Sequence, residues 1–121
     1  MKTILIIDDD PKMLDLLKHY LRDEQLEVLT ASDGEEGLLM RKSNNVDLVI
    51  IDIFMPNMDG IQTIMEMKQE YIDIKILVIS GGGEFTGLEY IKQAKALGAS
   101  EALVKPFTQK DFLSTVQNML L

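Results

Sequence analysis

Three continuous apolar runs along the chain predict buried β-strands. They span residues 4–7, 48–51 and 76–79. Strands that are buried on both faces have continuous apolar runs, whereas half-exposed strands alternate apolar and polar residues. Segments 26–30 and 102–104 have weaker strand character and predict two flanking strands. The pattern therefore predicts a five-stranded sheet with a buried centre.

Segments with helical periodicity lie between and after these strands. Their apolar residues recur at spacings of three and four, which is typical of a helix with one buried face. Residue types that begin or end helices lie at the expected boundaries: Asp10 before Pro11, Asp33 with Glu36, Asp59 before Gly60, Thr108 with Asp111, and Gly98. A strand followed by a helix, repeated five times with short connections, predicts a doubly wound parallel α/β sheet of the (βα)5 type.

Acidic residues and one lysine follow three of the predicted strands. Asp8 and Asp9 follow the first, Asp52 follows the third, and Lys105 follows the last. The carboxyl ends of parallel strands meet at one edge of an open sheet, so these side chains are expected to lie close together. Clustered carboxylates repel one another unless a cation joins them. The pattern therefore indicates a site for a cation.

Composition narrows the class of protein. The 121 residues are 46% apolar, which fits one globular domain spanning residues 1–121 and excludes disorder. The net charge of −8 disfavours binding to nucleic acid or to anionic membranes. There is no cysteine, so disulfides and thiolate metal sites are excluded. The first apolar run is too short for a signal peptide and no run approaches a membrane span, so a soluble, cytoplasmic protein is expected.

Four motifs together resemble one family. They are I-L-I-I-D-D-D at 4–10, D-L-V-I-I-D-I-F-M-P-N-M-D-G at 47–60, V-I-S-G at 78–81 and L-V-K-P-F at 103–107. In this order, each at the end of a predicted strand, they resemble the receiver domain of two-component response regulators over essentially the whole chain. The resemblance implies a flavodoxin-like fold with strand order 2-1-3-4-5.

The resemblance also implies a phosphorylation site with a metal ion. Asp52 corresponds to the phosphoacceptor and Asp9 to the principal metal-binding acid, with Asp8 acting mostly through water. Mg²⁺ prefers oxygen ligands and keeps several waters. The implied metal set is Asp8, Asp9, Asp52 and the backbone carbonyl of Phe54.

Two further residues have roles that the resemblance implies. Lys105 would pair with the phosphoryl group, and a cis bond between Lys105 and Pro106 would aim it. Ser80 would donate a hydrogen bond to a phosphoryl oxygen and draw the following loop inward. The site would thereby bias the fourth helix and fifth strand toward a second arrangement.

The implied function is a phospho-accepting receiver in a histidine-to-aspartate phosphorelay. Its partners would be a sensor histidine kinase or phosphotransfer protein and a downstream effector protein, with no direct nucleic acid or membrane contact, as a monomer or weak dimer. It would catalyse only its own phosphorylation and dephosphorylation. A stand-alone receiver is favoured because the sequence ends after the fifth helix. A phosphorelay intermediate and the receiver part of a longer DNA-binding regulator stay open. A phosphatase of the haloacid dehalogenase type is disfavoured, because Phe54 stands where that class needs a second aspartate.

Three positions depart from the family pattern. Ala102 stands where an aromatic switch residue is usual, so switching through a rotating ring is not expected; either the switch relies on backbone movement or the output surface differs. Residues 81–87 form a longer, glycine-rich segment whose role stays open. Phe54 is apolar where many relatives carry a polar side chain.

Overall fold

The computed structural model describes residues 1–53, 60–81 and 87–121, with the backbone alone at 87–90. The five strands are β1 (Lys2–Ile7), β2 (Leu26–Ala31), β3 (Leu48–Asp52), β4 (Lys75–Ser80) and β5 (Glu101–Val104). The five helices are α1 (Pro11–Leu21), α2 (Gly34–Ser43), α3 (Gly60–Glu70), α4 (Gly87–Ala96) and α5 (Gln109–Leu120). Strands and helices alternate throughout, as the apolar pattern predicted.

The strands form one parallel sheet in the order β2-β1-β3-β4-β5. This confirms the predicted flavodoxin-like fold. The central strand β3 is buried at all five positions, which explains its continuous apolar run. β2 lies on one side of β1 and β3 lies on the other, so the direction in which strands are added changes between β1 and β3. Ligands bind at such a point, in the crevice beyond the carboxyl ends of the strands.

The core lies on both faces of the sheet. Successive side chains of a strand point to opposite faces, so Ile4 and Ile6 pack with α1 and α5 while Leu5 and Ile7 pack toward α2, α3 and α4. Phe112 of α5 is fully buried in the first of these layers. Among the described helices, none has the length and apolar character that a membrane crossing requires.

Side-chain caps begin three helices where the sequence predicted them. The Asp10 side chain accepts from Lys12 N at the start of α1, and Thr108 Oγ1 accepts from Asp111 N at 3.0 Å before α5. Asp33 caps α2 through Glu36 N at 2.8 Å. The Glu36 carboxylate accepts from Ser32 Oγ at 2.8 Å and also from Ser32 N. In a capping box the Glu36 carboxylate would accept from the N–H of the N-cap residue Asp33, but here it accepts from Ser32, one residue earlier.

Two glycines solve different local problems. Gly98 has a φ of 117° and ends α4, with its N–H donating to Lys95 O and the Ala99 N–H donating to Ala94 O, which is a Schellman motif. Gly37 lies inside α2, where a Cβ would come within 2.4 Å of Ile7 Cδ1. Gly37 therefore lowers the helix propensity of α2, but its lack of a side chain permits close packing of α2 on β1.

Candidate functional site

Asp8 directly follows β1 and is buried at the carboxyl edge of the sheet. It is 1% exposed, and its N–H donates to Ala31 O at the end of β2. Its Oδ1 accepts from Asp10 N at 2.9 Å, so the turn into α1 fixes the carboxylate. Its Oδ2 is buried and has no hydrogen-bond partner among the described residues. A buried carboxylate oxygen without a partner is costly, and a cation would satisfy it.

Asp52 and Asp9 complete a cluster of three carboxylates with Asp8. Asp52 is the last residue of β3 and is 8% exposed, whereas Asp9 is exposed. One carboxylate oxygen from each residue lies within 4.8 Å of the other two. Three acidic oxygens at this spacing could hold a metal ion, as the sequence predicted for this edge of the sheet.

Lys105 brings a positive charge to the same cluster. Its Nζ lies 3.8 Å from Asp52 Oδ2 and 3.9 Å from Asp8 Oδ2, and the Lys105–Pro106 peptide is cis, as expected. Both distances exceed a direct hydrogen bond, so the lysine acts on the two carboxylates as a nearby point charge. Lys105 N also donates to Ser80 O at 2.7 Å, which ties its backbone to the end of β4.

Ser80 is the last residue of β4 and is fully buried. It lies in register with Val104, one residue before Lys105, so it belongs to the same sheet edge. Its Oγ donates to Gly81 O at 3.3 Å, a bond to its own local backbone. The hydroxyl is therefore held at the edge by a weak local contact that it can exchange for another acceptor.

Burial gives Asp8 unusual acid–base behaviour. Desolvation, reinforced by the negative charges of Asp52 and Asp9, raises the pKa of the Asp8 carboxyl from 3.8 to about 6. The Asp10 N–H and Lys105 lower it, but they do not offset the cost of burial. A cation in the cluster would favour the charged form of Asp8.

Some predicted positions contribute differently or lie elsewhere. Phe54 and residues 82–86 fall outside the described part of the chain, as does Asp59, while α3 begins at Gly60 as predicted. Ala102 lies in β5 opposite Val78 and packs, half-buried, against the core beneath α4.

Sequence reasoning missed one structural feature of the site. Gly60 packs against the main chain of Asp52 and Ile53 so closely that a Cβ would meet backbone atoms. The Asp-Gly pair at 59–60 marked a helix start, but nothing in the sequence indicated contact with the acidic strand end.

A comparison with known families identifies this arrangement. Residues 4–117 match the response regulator receiver domain. The chain belongs to that family. The family that the four sequence motifs resemble is therefore confirmed.

Solved structures and curated proteins are similar to this receiver. Chemotaxis protein CheY4 of Vibrio cholerae is 33% identical with a TM-score of 0.90, and the match covers 99% of both chains. A CheY-like receiver domain protein of Methanospirillum hungatei is 29% identical with a TM-score of 0.91, covering 99% of this chain and 94% of that one.

The curated relatives are longer proteins. The alkaline phosphatase synthesis transcriptional regulatory protein PhoP of Bacillus subtilis is 32% identical over 98% of this chain and 48% of its own length. The transcriptional regulatory protein CpxR of Klebsiella pneumoniae is 35% identical over 99% of this chain and 50% of its own length. The chain thus spans about half the length of the curated relatives it matches.

Proposed function

We propose that this receiver, taken as one domain over residues 1–121, accepts a phosphoryl group on Asp52 and thereby controls a downstream effector protein. The donor is a sensor histidine kinase or a phosphotransfer protein. The observation that carries the proposal is the position of Asp52, at the end of β3 with Lys105 Nζ 3.8 Å from its carboxylate and two further acids beside it. Family membership supports the same chemistry.

The residues present fit a Mg²⁺ ion. The donors are carboxylate oxygens, and one of them, Asp8 Oδ2, is buried without a hydrogen-bond partner in the described chain. Asp9 and Asp52 would hold the ion together with the Phe54 carbonyl, and Asp8 would hold it mostly through water. When bound, the ion would offset the charge of the carboxylates and of the transferred phosphoryl oxygens.

Phosphoryl transfer needs a positioned nucleophile and compensation of charge. A carboxylate oxygen of Asp52 forms the new O–P bond as the phosphohistidine N–P bond breaks, and the electron pair stays with the imidazole. Lys105 supplies positive charge beside the incoming group, and Asp8 holds the turn through its bond from Asp10 N. Hydrolysis returns the same carboxylate and inorganic phosphate, so no external metabolite is turned over.

Switching in this receiver runs through the backbone. Ser80 exchanges its weak bond to Gly81 O for a phosphoryl oxygen, and Lys105 N is already bonded to Ser80 O. Movement of Ser80 therefore reaches β5 directly through the main chain. Ala102 carries no ring that could rotate, so β5 itself transmits the change.

A second candidate is the same receiver acting within a longer DNA-binding regulator. It is favoured by the similarity to PhoP and CpxR, which are transcriptional regulatory proteins about twice the length of this chain. Both candidates share the phosphorylation chemistry, and a phosphorelay intermediate would share it too.

Intact mass spectrometry tests the proposal. The wild type and Asp52→Asn are incubated with Mg²⁺ and a small acyl-phosphate donor, with Asp10→Asn as a control that removes a nearby carboxylate outside the cluster. A gain of one phosphoryl group by the wild type and the control, but not by Asp52→Asn, is expected. Equal labelling of Asp52→Asn would refute the assignment of the acceptor.

A further inference from the structure

The start of α3 lies against the main chain that carries Asp52. A Cβ built on Gly60 would lie 2.5 Å from Asp52 O, 2.6 Å from Ile53 Cα and 2.8 Å from Ile53 O. Non-bonded carbon contacts are most favourable at about 3.5–4.0 Å, so all three contacts are strongly repulsive. Every contacted atom belongs to the backbone, and no side-chain rotation can relieve the overlap.

Hydrogen bonds hold the same strand end on two sides. Gly60 N donates to Ile53 O at 2.8 Å, and Ile53 N donates to Ile79 O of β4 at 3.1 Å. Ile53, the residue that follows Asp52, is thus held between α3 and β4 through its C=O and its N–H. A side chain at position 60 would have to displace one of these two contacts.

We infer that Gly60 is a positioning residue that sets the place of the Asp52 carboxylate relative to Asp8, Asp9 and Lys105. The inference rests on the proposed phosphoryl transfer to Asp52. Asp52 lies within a cluster whose carboxylate oxygens are at most 4.8 Å apart, so a small displacement changes every distance in the site. A misplacement of about 1 Å can cost a factor of about 100 in rate.

Gly37 offers a matched control in α2. A Cβ there would also be too close, at 2.4 Å from Ile7 Cδ1 and 2.9 Å from Ile7 Cγ1. These atoms belong to the buried side chain of Ile7 and not to the backbone, so the overlap is expected to disturb core packing more than the main chain of the site. Both substitutions add one methyl group to a buried helical glycine, but only Gly60→Ala acts on the backbone of the site.

The test compares wild type, Gly60→Ala and Gly37→Ala at a temperature where circular dichroism shows all three folded. Phosphorylation rate is measured with an acyl-phosphate donor, and Mg²⁺ affinity is measured by calorimetry without a donor. Gly60→Ala is expected to lose about tenfold or more in both quantities, while Gly37→Ala keeps wild-type values. Wild-type rate and affinity in folded Gly60→Ala, or an equal loss in Gly37→Ala, would overturn the inference.

A measurement on the wild type serves if Gly60→Ala does not fold. Amide exchange followed by NMR should show that Mg²⁺ with beryllofluoride slows exchange of the Gly60 amide, because the ligand and this amide hold the same strand end. Unchanged exchange of that amide despite binding would overturn the inference. If the wild type binds Mg²⁺ but is not phosphorylated, the result contradicts only the proposed function, because the comparison of Mg²⁺ affinities still tests the role of Gly60. If the wild type does not bind Mg²⁺, the result overturns both the proposed function and the inference about Gly60.

Discussion

Replacing Asp8 by Asn should stabilise the metal-free protein. The folded state raises the pKa of this carboxyl from 3.8 to about 6 because burial removes it from water. At neutral pH the folded protein therefore keeps a charge that its environment disfavours. A difference of about two pH units, at about 1.4 kcal/mol each, corresponds to about 3 kcal/mol. Asn keeps an oxygen that can accept from Asp10 N and removes this penalty.

The sign of the pH dependence follows from the raised pKa. Well below pH 3.8, Asp8 is protonated in both the folded and the unfolded state and costs nothing. As the pH rises toward 6, the unfolded state loses its proton first, so the contribution of Asp8 to the free energy of unfolding decreases. The advantage of Asp8→Asn should thus grow as the pH rises from 5 to 7.5, where it reaches about 3 kcal/mol.

Urea denaturation followed by circular dichroism measures this difference, in EDTA and again in millimolar Mg²⁺. Asp10→Asn is the matched control, because that residue caps α1 from an exposed position and Asn caps a helix equally well. Mg²⁺ should shrink the advantage of Asp8→Asn, since the cation stabilises the wild-type cluster. A less stable Asp8→Asn at pH 7.5 in EDTA, or an advantage that does not grow with pH, would refute the reasoning.

Three further predictions concern the site and the helix packing. Millimolar Mg²⁺ should raise the melting temperature of the wild type, and in EDTA the Asp52→Asn substitution should raise it by removing one repelling charge. Calorimetry that shows no effect of Mg²⁺, or a clearly lower melting temperature for Asp52→Asn, would contradict this. Phe112→Ala should cost about 3–5 kcal/mol in urea denaturation, because the ring is fully buried and stacks on Phe107 at 5.8 Å; a loss below about 1 kcal/mol would contradict it. Thr108→Ala should cost about 1 kcal/mol by removing the cap of α5, whereas Thr108→Ser should keep most of the stability; equal losses would show that the hydroxyl is not responsible.

The helix caps and Gly37 show which structural features could be predicted from the sequence pattern and which could not. The N-caps at Asp10, Asp33 and Thr108 were predictable because a capping contact spans only two or three residues. A glycine inside a helix is unfavourable by propensity, and the reason for Gly37 in α2 is visible only from the contact with Ile7. The partner of Glu36 was displaced to Ser32, because the long side chain can reach either neighbouring N–H.

The sequence alone determined the order of elements, the parallel sheet and the sheet edge where the acidic residues meet. These depend on periodicity and on the rule that parallel strands end together, and both can be read along one chain. Only the tertiary structure decided that Asp8 Oδ2 is buried without a hydrogen-bond partner in the described part of the chain, that the pKa of Asp8 rises, and that Gly60 touches the backbone of Asp52. These properties depend on distances of a few ångströms between residues far apart in sequence. Such distances follow from how α3 and the loops pack on the sheet, and no local pattern records that packing.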